Sequence, residues 1–180
     1  ERVLRLAAVL RELGVRRGDR VAYLGTNHPA LVETLIACGA LGAIFVPLNT
    51  RLAVPELAHM LHDSGTQLVL HGAEHEPQAR ELLSTGQIST TIEVNDTGPN
   101  GYEQRLAHAL PQPLDTRVGL DEPCMIMYTS GTTGRPKGAV LTHGNITWNC
   151  VNVLLDVDLI ADEVTLVTAP MFHTAALNMT

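Results

Sequence analysis

Apolar residues at Val3, Leu6, Ala7, Leu10 and Leu13 recur at helical spacing, and Gly14 follows as a C-terminal stop. The pattern then changes. After the polar turn from Val15 to Arg20, Val21-Ala22-Tyr23-Leu24 is a short unbroken apolar run with the length of a buried strand. Asn27 stands where it can cap a helix beginning near Pro29 and running to about Leu41, because proline is tolerated in a first helical turn. Ala43-Ile44-Phe45-Val46 predicts the next strand, Pro55 to about His62 a helix ended near Gly65, and Gln67-Leu68-Val69-Leu70 another strand. Strand and helix alternate, which predicts an α/β fold: a mostly parallel sheet, right-handed crossovers and helices on both faces.

The pattern weakens from 71 to 122, where helices are expected near Ala79 to Leu83 and Tyr102 to Leu110 and a strand at Ile92 to Val94. It resumes at Cys124-Met125-Ile126-Met127, a strand followed by a hydroxyl-rich loop. Asn145 to about Leu155 reads as a helix capped by Thr142 or Asn145, and Val164 to Val167 as one more strand. Neither an internal repeat nor a low-complexity linker is visible. The chain starts at Glu1-Arg2-Val3 without an initiator methionine and stops inside an apolar stretch, so it is expected to be cut from something longer.

Charge narrows the partners. Lysine plus arginine number 12 against 19 acids, a formal net charge of −7, so general affinity for nucleic acid has no electrostatic support and any anion site must be local. The longest apolar stretch, Leu35 to Leu48, is broken by Gly39, Gly42 and Pro47 and falls short of the roughly 20 residues a membrane-spanning helix needs. Three widely spaced cysteines (Cys38, Cys124, Cys150) suit buried, reduced thiols and a cytoplasmic location better than a disulfide framework. Homo-oligomerisation is left open.

The chemistry concentrates in Tyr128-Thr129-Ser130-Gly131-Thr132-Thr133-Gly134-Arg135-Pro136-Lys137-Gly138. Gly131, Gly134 and Gly138 permit positive backbone dihedrals and close approach of peptide N–H groups, while Thr129, Ser130, Thr132 and Thr133 supply hydroxyls. Arg135 and Lys137 add charge, and no acid occurs between Glu122 and Asp156. Such a surface suits phosphate oxygens. It is not the G-x-x-x-x-G-K-[ST] loop, because Pro136 replaces the second glycine and Gly138 follows Lys137. Nor is it a G-x-S-x-G nucleophile elbow, because Tyr128 occupies the first glycine position. A plain solvated turn is the bland reading of a Gly, Ser and Thr cluster; the density of donors argues against it. His59 with His62, and His71 with His75, mimic metal pairs, but no carboxylate or cysteine completes a set, so they read as solvated surface histidines.

The eleven residues resemble the phosphate-loop motif of the adenylate-forming superfamily of acyl-CoA synthetases, peptide-synthetase adenylation domains and luciferases. Cys38 to Asn49 (CGALGAIFVPLN) resembles the family's early helix-to-strand motif and Pro170-Met171-Phe172-His173-Thr174 the motif that follows the loop. The likeness spans essentially the whole chain. It implies an incomplete piece of the large N-terminal domain, with 1–122 as a first α/β part, 123–180 as the loop segment and start of the next part, and the C-terminal domain absent. It further implies ATP-dependent activation of a carboxylic acid to an acyl-adenylate and transfer to a thiol. By this resemblance Thr129, Ser130, Gly131, Thr132, Thr133, Gly134 and Lys137 bind the nucleotide phosphates, His173 and Lys137 act catalytically, Mg²⁺ accompanies ATP, and no metal ligand is assigned within the segment. The PMFHTAAL stretch from Pro170 to Leu177 looks most like bacterial fatty acyl-CoA synthetases, which makes CoA the expected acceptor. A peptide-synthetase adenylation domain and a non-catalytic nucleotide-binding fragment are the alternatives. The family's later adenine, ribose and hinge motifs and its C-terminal lysine are not in the sequence, so this piece by itself is not expected to complete a turnover.

Overall fold

The computed structural model describes residues 1–94, 96–98, 100–111, 117–129, 135–157, 162 and 164–177. Six strands form one sheet: β1 (Arg20–Leu24), β2 (Ile44–Pro47), β3 (Leu68–His71), β4 (Thr90–Glu93), β5 (Pro123–Thr129) and β6 (Lys137–Thr142). Their spatial order is β4-β3-β1-β2-β5-β6. The first five are parallel, and β6 runs antiparallel to β5. Helices α1 (Arg2–Glu12), α2 (Pro29–Leu41), α3 (Val54–Ser64), α4 (Glu76–Ser84), α5 (Tyr102–His108), α6 (His143–Asp156) and α7 (Thr174–Leu177) complete the elements of the described residues, with a short 3-10 turn at Ala73–His75.

Side chains alternate across a strand, and the core divides accordingly. Val21, Tyr23, Phe45 and Leu70 join one apolar cluster with α1, α2 and α5, while Ala22, Leu24, Val46 and Val69 join a second with α3 and α4. Burial on both faces explains the continuous apolar runs of β1 to β3. The expectation of a mostly parallel sheet covered on two sides holds.

Helix ends follow local chemistry. Gly42 and Gly65 take left-handed backbones (φ 66° and 68°) at the ends of α2 and α3, where the helix's last carbonyls accept from their N–H groups. Thr142 caps α6, its Oγ1 accepting from Asn145 N–H at 3.1 Å while Asn145 Oδ1 accepts in return. At α2 the capping expectation is corrected: His28 is the cap, its Nδ1 accepting from Ala30 N–H at 3.1 Å. Asn27 is engaged elsewhere.

Two strand expectations also change. β6 was not foreseen, because Lys137-Gly138-Ala139 opens it with a charge and a glycine instead of an apolar run; its pairing with β5 carries it. Val164 to Val167 is not a strand: the segment is irregular, and Val164 and Leu166 lie 95% and 84% exposed with no strand partner among the described residues. An apolar run needs a neighbour to satisfy its backbone before it becomes sheet.

Candidate functional site

Ligands of open α/β sheets bind outside the carboxyl ends of the strands. At that edge a cavity of about 150 Å³ is lined by Pro47 at the end of β2 and Asn49 just after it, Tyr128 and Thr129 at the end of β5, Pro136 before β6, Glu56 and Met60 of α3, and Phe172 with His173. Whole small-molecule sites run to roughly 300–1,000 Å³, so the described walls fit the reacting end of a ligand better than all of it.

The two ends of the hydroxyl-rich stretch are paired strand: Tyr128 pairs with Gly138 and Thr129 with Lys137, where β5 and β6 run antiparallel. Ser130, Gly131, Thr132, Thr133 and Gly134, all expected to contact phosphate, lie outside the described residues. Thr129 and Lys137 are exposed and adjacent across the hairpin, which puts a hydroxyl and an ammonium at the two feet of the loop. Gly138 serves differently from expectation. No positive φ occurs there; instead an added Cβ would sit 2.9 Å from Ile126 Cγ2 and 3.3 Å from the Tyr128 ring, so glycine leaves room for its strand neighbour.

Helix α3 braces the hairpin on both sides. The Tyr128 hydroxyl donates to Asp63 Oδ2 at 2.7 Å and to the Met60 carbonyl at 2.9 Å, while His59 Nε2 lies 3.4 Å from the Pro136 carbonyl. Burial and the Asp63 hydrogen bond both push the Tyr128 phenol above its ordinary pKa, so it stays a donor at neutral pH. The stretch between Glu122 and Asp156 is free of acids in sequence but not in space, since Glu56 lines the cavity and Asp63 touches Tyr128. Glu56 is occupied: its Oε2 accepts from Ala53 N–H at 3.0 Å at the start of α3.

His173 reaches the same cavity from a turn before α7, its ring 4.6 Å from that of Phe172 and tilted by 58°. The fold therefore brings Thr129 and His173 to one opening from positions 44 residues apart in the numbering. Sequence reasoning missed the rest of the lining, Asn49, Glu56 and Met60 above all. Asn49 lay inside the quoted CGALGAIFVPLN motif, which was the available signal.

The solvated reading of four histidines is corrected for three. His71 and His75 are 3% and 8% exposed, and His59 bonds the hairpin; only His62 is fully surface-exposed. Strand and helix packing closes over positions that sequence spacing leaves neutral. Among the cysteines, Cys38 and Cys124 are buried and burial raises both thiol pKa values, but Cys150 on α6 is exposed, against expectation. Among the described residues no three His, Cys, Asp or Glu side chains converge on a metal position, and no helix is long and apolar enough to cross a membrane.

Known proteins bear on the same surface. The chain is 57% identical over 178 residues to a feruloyl-CoA synthase of an Amycolatopsis species, covering 99% of this chain and 34% of that protein. It is 41% identical over 182 residues to the indoleacetate–CoA ligase of Aromatoleum aromaticum, covering 98% of this chain and 35% of that one. Among solved structures a Mycobacterium tuberculosis fatty acyl CoA synthetase superposes with a TM-score of 0.88 at 34% identity, over 99% of this chain and 35% of that one. The chain thus spans about a third of the length of the curated relatives it matches. The family model described as AMP-binding enzyme matches residues 1–180, and the chain belongs to that adenylate-forming family, in which the feruloyl and indoleacetate relatives above are CoA ligases.

Proposed function

We propose that the whole protein is an ATP-dependent acid–thiol ligase: a carboxylate attacks the α-phosphate of ATP, pyrophosphate leaves, and the acyl-adenylate passes its acyl group to the thiol of CoA with release of AMP. The observation that carries this reading is the joint lining of one cavity by Thr129 at the foot of the hydroxyl-rich loop and by His173. A carboxylate is already ionised near pH 7, so the site must orient it and offset phosphate charge; it needs no base to make the nucleophile.

In this reading Thr129, Ser130, Thr132, Thr133 and Lys137 donate to the β- and γ-phosphates, with Gly131 and Gly134 shaping the backbone. His173, beside Phe172, borders the acyl end and orients the carboxylate. Mg²⁺ when bound would supply charge neutralisation on the phosphates; no residue of this segment is assigned to hold it, since Glu56, the carboxylate in the described lining, already accepts from Ala53 N–H. Residues 1–122 and 123–180 are read as successive parts of one large N-terminal domain, and completion of the cycle as a property of the longer protein.

For the acid, the 57% and 41% relatives, named for feruloyl and indoleacetate groups, support an aromatic carboxylic acid. The fatty-acid reading keeps the support of the mycobacterial fatty acyl CoA synthetase. A panel of ferulate, indoleacetate and fatty acids of graded length in a carboxylate-dependent pyrophosphate-exchange assay on the full-length protein separates them. Exchange with ferulate at least tenfold above any fatty acid is expected; the reverse ranking returns the fatty acid, and exchange with none of the acids overturns the ligase reading.

A further inference from the structure

His173 lies on an irregular segment that a side chain from the other end of the chain holds in place. Asn27, in the loop after β1, uses both halves of its amide: Nδ2 donates to the Ala169 carbonyl at 2.9 Å, and Oδ1 accepts from Met171 N–H at 2.8 Å. Together the two bonds span Pro170, which has no N–H to offer. The Pro170 carbonyl in turn accepts from His173 N–H at 3.1 Å, and the His173 carbonyl accepts from Ala176 and Leu177 N–H, both at 3.2 Å. Met171 and Phe172 are buried to 5% and 9% exposure beside this turn, and the Phe172 ring meets the imidazole. Among the described residues Asn27 is the one side chain that hydrogen-bonds the 169–173 backbone.

The anchor itself stands on the central strand. Asn27 follows β1, which is flanked by β2 and β3, and precedes the cap of α2, so its backbone is fixed from both sides. A peptide-like clasp made from the middle of the sheet thereby sets the height and direction of a turn whose next side chain enters the cavity.

We propose that Asn27 is a positioning residue for His173: it touches no substrate, and by clasping Ala169 and Met171 it presents the imidazole to the carboxylate at the mouth of β2 and β5. The inference rests on the reading of His173 given above. It predicts a defect in handling the acid and none in handling ATP, because the hairpin that carries Thr129 and Lys137 is braced independently by α3.

The test measures KM for the acid and for ATP, kcat, and the thermal midpoint in the full-length enzyme carrying Asn27→Ala, Asn27→Asp, His173→Ala, and Asn27→Ala with His173→Ala. Loss of two backbone hydrogen bonds is expected to raise the acid KM about tenfold in Asn27→Ala, with the ATP KM within about twofold of wild type. Asn27→Asp keeps the acceptor for Met171 N–H but faces the Ala169 carbonyl with an oxygen, so it is expected to fall in the same direction while remaining folded. Since Asn27 acts through His173, the double variant is expected to match His173→Ala. Additive losses, a parallel rise in the ATP KM, or an unchanged acid KM in both folded Asn27 variants each overturn the proposal. If His173→Ala alone leaves the acid KM unchanged, the His173 reading falls first; an Asn27 defect in that case assigns the clasp to another group and overturns this inference as well.

Discussion

Residues 1–110 and residues 123–177 draw on the same alternation of apolar and polar positions, and they spend it differently. In the first region β1 and β3 are buried from end to end apart from Arg20, and helices close over both faces of the sheet. In the second, α6 has no buried residue, and Val140, Trp148, Leu154 and Leu155 are all exposed. Apolar residues are packed throughout the first region, whereas in the second they are packed on β5 and around Met171 to Leu177 but left exposed on α6. The first region is a scaffold whose stability comes from burial; the second carries the hairpin and the turn that place Thr129, Lys137 and His173, the residues proposed to act on the nucleotide and the acid. Chemistry at a strand end is most precise when a rigid element holds it, and here α3 and Asn27 reach across from the scaffold to do so.

The sharpest test of that division is a cavity in the scaffold. Leu61 of α3 is fully buried, and Leu61→Ala is expected to lower unfolding stability by about 2–5 kcal/mol in urea titration. A loss under about 1 kcal/mol would show that the two-faced core is not what holds this region. Next in size is Lys137→Ala. Removing one charge-assisted contact, about 1.5–3 kcal/mol, should slow pyrophosphate exchange roughly ten- to a hundredfold while leaving the urea midpoint in place, because Lys137 is exposed. Unchanged exchange would take the hairpin foot out of the chemistry.

A pH experiment probes how the scaffold's helices are tied. Glu33 of α2 accepts from Arg2 of α1 at 2.5 Å and from the Tyr102 hydroxyl of α5 at 2.5 Å. Burial alone would raise its pKa, but the Arg2 and Tyr102 bonds outweigh it and hold the carboxyl below the usual range. A depressed folded-state pKa means a contribution fully present above the unfolded value of about 4.3 and lost as pH falls through the folded one. The stability advantage of wild type over Glu33→Gln should therefore be constant from pH 7 to about 5 and shrink toward pH 3. An advantage that stays level to pH 3 would refute the tie. The smallest effect belongs to α6: Leu155→Ala, at 79% exposure, is expected to shift stability by less than about 0.5 kcal/mol, and a core-sized loss would erase the contrast between the regions.

Much of the scaffold was legible. Val21 to Leu24, Ile44 to Val46 and Leu68 to Leu70 read as buried strands because burial on both faces leaves unbroken apolar runs, and Gly42 and Gly65 mark helix ends because few other residues take their backbone at no cost. The misses share a cause. Lys137 to Thr142 becomes a strand through β5, His71 and His75 are buried by neighbours distant in sequence, and Val164 to Val167 stays irregular with no strand partner among the described residues. Asn27 has the composition of a helix cap and a different occupation, because two backbone groups more than 140 residues away compete for its amide and win.

By itself the sequence determined the alternation of strand and helix, the helix stops, the family, and the concentration of hydroxyls, glycines and cations between Tyr128 and Gly138. Each is written locally, in spacing or in residue type. Only the tertiary structure decided the strand order β4-β3-β1-β2-β5-β6, the antiparallel pairing of β6 with β5, and the meeting of Thr129 with His173 at one opening. A pattern states that a face is apolar or a side chain can donate; which surface meets that face, and which carbonyl takes that bond, depends on chain segments brought together across the sheet.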